Sequence, residues 1–155
     1  MSHKDQITIL NKMRFLENEE DDIEEIEHIL NELLMSGSKE TISALCHVLH
    51  DDIEVYITGD IIETIFYIVE RVGLENGLYE LVKGISKMSP DADWCAKRIH
   101  KTIMNSESLI PSYIEVLKKE EPSVKQALIA LLREISEEQP DLFSQNVNKI
   151  LEQVK

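Results

Sequence analysis

EPSVKQALIALLREI, residues 121–135, decides how this chain folds. Its apolar positions Val124, Ala127, Leu128, Leu131 and Ile135 recur at steps of three and four, the spacing that lays one stripe along a helix turning 100° per residue. Pro122 stands ahead of the stripe, where its missing N–H costs nothing and its fixed φ favours initiation. A strand would need alternation of apolar and polar residues, which this segment lacks.

Working outward, the same spacing recurs almost everywhere. It is seen in Ile23, Ile26, Ile29, Leu30, Leu33 and Leu34, in Leu45, Val48 and Leu49, and in Ile61, Ile62, Ile65, Phe66, Ile68 and Val69. Leu78, Leu81, Val82 and Ile85 repeat it, as do Phe143, Val147, Ile150, Leu151 and Val154 near the end. Breakers stand between the stripes: Gly37, the pair Gly73 and Gly77, and the prolines Pro90, Pro111, Pro122 and Pro140, each read as a first-turn residue. The pattern predicts helices near 4–16, 22–35, 38–50, 60–72, 75–88, 91–104, 109–119, 123–137 and 141–154. Residues 51–59, DDIEVYITG, are open between a short helix, an extended turn and one end of the fourth helix.

The expected fold class is therefore all-α, with about nine short helices stacked as antiparallel pairs in one domain spanning residues 1–155. A chain of this length buries roughly 70% of the surface its unfolded form exposes, so its core needs neither disulfide nor metal. Pro122-x-Val124-Lys125-x-Ala127 resembles the opening of HEAT-type repeats, and Pro90, 32 residues earlier, opens a comparable unit. A HEAT-like α-solenoid or an irregular bundle is expected, with the last helix as a cap.

Composition excludes several classes of function. No apolar run approaches the roughly 20 residues of a membrane span, and the N-terminus lacks the apolar core of a signal peptide. Cys46 and Cys95 form no CxxC pair, which suits a reducing compartment, so a cytoplasmic location is expected. Charge is distributed unevenly. Residues 17–63 hold 15 Asp or Glu and one Lys, a net of −14, while the remainder of the chain is balanced. That leading part repels nucleic acid.

Candidate chemistry is sparse. Glu25 and His28 have the ExxH spacing of a helical di-iron ligand pair, but no second ExxH accompanies them. Cys46, His47 and His50 lack an acidic orienter, and Cys95 and His100 fall on divergent faces of one helix. No phosphate loop, HExxH or GxSxG is present. No catalytic residue, metal or cofactor is expected. Trp94, the single tryptophan, reads most simply as a core or inter-repeat anchor, with a partner hot spot as the alternative.

The acidic run ENEEDDIEEIEH, residues 17–28, is only partly explained by local needs. Carboxylates suit the first turn of a helix, where the macrodipole is positive. Further along, Glu24, Glu25, Glu27 and Glu32 continue down a polar face with no lysine at i+4, and Asp51, Asp52, Glu54, Asp60 and Glu63 form a second cluster devoid of Lys or Arg. Two unpaired clusters predict one partner-binding surface, made of Glu19, Glu20, Asp21, Glu24, Glu25, Glu27, Asp51, Asp52, Glu54, Asp60 and Glu63.

SPDADWCAKRIHKTIMNSESLIPSYIEVLKKEEPSVKQALIALLREI has Trp94 opening a helix, Ile103 and Met104 leading into Asn105 and Ser106, and Tyr113 and Leu117 in the next helix. Upstream stands IIETIFYIVERV, with Glu70, followed by Tyr79. On these residues the chain, from about residue 45 onward, resembles the immunity protein 30 family of bacterial polymorphic-toxin immunity proteins, the upstream segment being similar to the family's central helix pair. The resemblance implies an all-helical, non-enzymatic protein that binds and neutralises a cognate toxin, as in contact-dependent inhibition. An acidic surface would then meet a basic region of the toxin, such as the substrate cleft of a nuclease. The competing reading is a helical-repeat adaptor with no toxin partner.

Overall fold

The computed structural model describes residues 2–154, which contain nine helices and no strand. In chain order these are α1 (His3–Met13), α2 (Ile23–Ser36), α3 (Lys39–Val48), α4 (Val55–Val72), α5 (Leu74–Ile85), α6 (Asp93–Met104), α7 (Leu109–Lys119), α8 (Pro122–Glu138) and α9 (Pro140–Val154). Local chemistry starts several of them. The Ser2 hydroxyl accepts from the Asp5 amide at 3.1 Å, and the Asp22 carboxylate accepts from the Glu24 amide at 3.0 Å. Each satisfies a donor that the helix itself leaves free. Pro122 and Pro140 occupy the first positions of α8 and α9, as expected.

Helices next but one in the chain are neighbours in space. α1, α3, α5, α7 and α9 pack successively on one side, while α2 packs on α4 and α6 on α8 on the other. The result is a two-layer stack, because each amphipathic stripe must bury its apolar side against the opposite layer. Buried apolar side chains from Leu10 to Val154 form one continuous cluster through it. Leu33 of α2, Ile65 of α4, Leu78 of α5 and Ile99 of α6 are all fully buried, and each such side chain contributes roughly 1.5–3 kcal/mol through burial.

Closest approach occurs around α5. A Cβ built on Gly77 would fall 2.7 Å from the Val69 Cα, and one on Gly84 would fall 2.8 Å from the Cys46 Cβ and Sγ. These glycines let α5 press against α4 and α3, so Gly77 lies inside a helix and does not border a turn. The turn is Gly73 alone, at φ 107, a conformation that only glycine adopts without strain.

The observed boundaries depart from the periodicity in four places. α4 begins at Val55, not near residue 60, because Ile57 and Thr58 extend the buried stripe backwards, both at 2% exposure or less. α5 ends at Ile85, and Met88 packs into the core from the following turn. Pro90 sits in the turn before α6 and not in a helical turn. α1 ends at Met13, after which Leu16 takes φ 53 and directs the chain towards α2.

Two helix ends are closed by distant arginines. α2 has no basic residue in its last turn, and Arg71 of α4 donates from Nη2 to the carbonyls of Leu34 (3.2 Å) and Gly37 (2.6 Å). Arg14 donates from Nη1 to the carbonyls of His47 and Val48 at the end of α3. Both place positive charge where the macrodipole is negative.

Candidate functional site

α2 and α4 lie side by side and run in the same direction. Their buried stripes turn inwards, which leaves Glu24, Glu27, His28 and Asn31 of α2 beside Asp60, Glu63 and Thr64 of α4. Between them is an open groove of about 430 Å³, floored by Leu30 and Leu34. Four carboxylates from two segments distant in sequence therefore meet in one depression. Among the described residues, no lysine or arginine nitrogen lies within 4 Å of any of the four. Glu24 stands in the first turn of α2, where the helix dipole accounts for it. Asp60 and Glu63 lie beyond the first turn of α4, so that account does not extend to them.

The remaining expected partner residues are dispersed. Glu19 and Glu20 are exposed in the loop before α2, and Asp21 turns its carboxylate back to the Asn18 amide at 3.1 Å. Glu25 is exposed on α2 but does not line the groove. Asp52 lies 3.8 Å from the His50 ring, and Glu54 is an exposed residue at the start of α4. Asp51 already has partners: its two carboxylate oxygens accept the amides of Trp94 and Cys95, both at 3.1 Å, and thereby cap α6.

The rear half sends no cation into the groove. Lys97 pairs with Glu134 and Glu138 and so ties α6 to α8. His28 is exposed and pairs with Glu32 at 3.1 Å, while His47 faces solvent and contacts the Ser43 carbonyl. His50 accepts the Asp52 amide and packs edge-on against Phe15. Cys46 and Cys95 are buried free thiols, and burial pushes each up to about 12. Among the described residues, no three His, Cys, Asp or Glu side chains are grouped as metal ligands, and no helix is long and apolar enough to cross a membrane.

Sequence reasoning passed over one buried pair. His100 is fully buried, with Nδ1 3.2 Å from the Ala96 carbonyl and Nε2 2.7 Å from the Tyr113 hydroxyl. A carbonyl only accepts, so Nδ1 carries the proton and Nε2 receives the phenol O–H. Burial pulls the imidazole down to about 4 and pushes the phenol up. The signal was available, since His100 lies midway between the buried Ala96 and Met104 at i+4 spacing. Trp94 departs from expectation in the opposite sense: it is 47% exposed and not a core anchor.

A family model described as immunity protein 30 matches residues 12–113. The chain belongs to the immunity protein 30 family. Comparison with curated proteins and with solved structures gives no match. Membership implies a toxin as partner, in a family whose members are in general not enzymes. The matched stretch begins earlier than the resemblance noted above and ends at Tyr113, so it contains the whole acidic groove and leaves α8 and α9 outside. The apolar spacing of α8 is that of any stacked helix, which is why it resembles the family without belonging to the matched stretch.

Proposed function

We propose that this immunity protein 30 member neutralises its cognate toxin by presenting the groove between α2 and α4 to a basic surface, such as a nuclease cleft, in the cytoplasm of the producing cell. The observation that carries the reading is the convergence of Glu24, Glu27, Asp60 and Glu63 on one depression without internal counter-ions. Mutual repulsion among these groups opposes folding, and a basic partner relieves it. Exposed charges act on encounter more than on the lifetime of the complex, over a screening length of about 8 Å at physiological salt.

The test is to reverse the charge of Glu24, Glu27, Asp60 and Glu63 to Lys and follow association with the cognate toxin domain. Association is expected to slow by about ten-fold or more at low salt, and its dependence on ionic strength to flatten. Unchanged association kinetics would remove the groove from the interface.

A further inference from the structure

α4 forms a wall of two depressions at once. Tyr56, Asp60, Glu63 and Tyr67 stand at i, i+4, i+7 and i+11, a single ridge along the helix. The acidic groove lies on one flank. On the other is a cleft of about 390 Å³ between α4 and α6, lined by Ile62, Phe66, Tyr67 and Glu70 of α4 and by Arg98 and Thr102 of α6. Glu63 lines both, so the two surfaces are continuous.

Arg98 stands at the centre of the second surface. Its Nη1 donates to the Val55 carbonyl at 3.4 Å, and its guanidinium carbon is 5.6 Å from the centre of the Trp94 ring. The absence of a side chain on Gly59 gives it room, since a Cβ there would stand 3.0 Å from Nη2. Among the described residues, no carboxylate lies within 4 Å of Arg98. Trp94, Tyr56 and Tyr67 are each 47% exposed. Scattered exposed apolar residues need no explanation. Here Trp94 and Tyr67 border one arginine, the three residue types that most often carry binding energy.

The size of an interface links this cleft to the groove. The ridge from Tyr56 to Tyr67 is about 16 Å long at 1.5 Å per residue, whereas a standard interface covers about 800 Å² per partner, a patch roughly 30 Å across. A protein seated on the groove therefore covers the cleft as well.

We infer that the cleft between α4 and α6 lined by Tyr67 and Arg98, together with Trp94 in the adjoining depression that shares Arg98, is the half of the toxin interface that holds the complex together. It receives an apolar side chain of the same basic toxin that the groove attracts, and to that extent it rests on the proposed role of the groove. The two halves act on different rates. Screened carboxylates set the rate of encounter, and a desolvated aromatic pocket sets the rate of escape.

Binding kinetics of Trp94→Ala and Tyr67→Ala with the cognate toxin domain test this directly. Dissociation is expected to accelerate about 30-fold in each, the kinetic equivalent of a hot spot, with association changed by less than about two-fold. Because Trp94 is the only tryptophan, 5-fluorotryptophan labelling gives one fluorine resonance, which should move on complex formation. An unmoved resonance, or unchanged dissociation in both variants, overturns the inference. Slower association on reversing the groove charges would survive that result, and accelerated dissociation without any groove effect would remove the groove alone.

Discussion

His100 makes stability depend on pH in a window where little else in the core titrates. The ring is fully buried between the Ala96 carbonyl and the Tyr113 hydroxyl, and burial holds it at about 4 against an ordinary value of 6.5. The unfolded chain therefore binds a proton more readily than the folded one between those limits, and stability falls as pH falls. The contribution is complete above about pH 6.5 and lost as pH drops through 4. Taken to full protonation, the difference corresponds to about 3 kcal/mol at about 1.4 kcal/mol per pH unit. Between pH 7 and pH 5 it amounts to about 2 kcal/mol, and most carboxylates stay ionised across that interval. Urea unfolding of the wild type and of His100→Gln at both values isolates it, because the exposed histidines contribute equally to the two proteins. The wild type should lose about 2 kcal/mol more than the variant on acidification. Equal losses, or an NMR titration placing His100 near the ordinary histidine value, would refute the reasoning.

Two further outcomes follow from packing and capping. Alanine at Gly84 gains about 1 kcal/mol of helix propensity but drives a methyl group to 2.8 Å from the Cys46 Cβ, which cannot swing away. Overpacking of about 1–3 kcal/mol wins, more so for Gly77→Ala against the Val69 backbone, and calorimetry should show Tm lowered by several degrees in both. Asp51→Ala removes the cap of α6 and should cost about 1 kcal/mol in chemical denaturation; since Asp51 does not line the groove, toxin association should keep its wild-type rate.

The acidic groove shows how far a one-dimensional reading reaches. That Glu24, Glu27, Asp60 and Glu63 lack cationic neighbours is visible along the chain, because i+4 relations are local. That Asp51 does not join them is invisible there, because its partners are the amides of residues more than forty positions away. The same limit hid the role of Arg71, which closes α2 from the end of α4, and the exposure of Trp94, whose residue type favours interiors and interfaces alike.

By itself the sequence determined the helices, most of the faces they bury and the charge on those they expose, since helical periodicity, proline and glycine act within one or two turns; α8 is the exception, where Leu132 is buried with Leu128 and Ile135 while Ala127 is exposed and Leu131 half-buried. The tertiary structure alone decided which faces meet. Stacking places α2 beside α4 and α4 beside Arg98 and Thr102 of α6, and so turns separate patches into one continuous surface around Glu63. Neighbourhood across layers follows from how stripes pack against one another, a relation that spacing along a single helix does not contain.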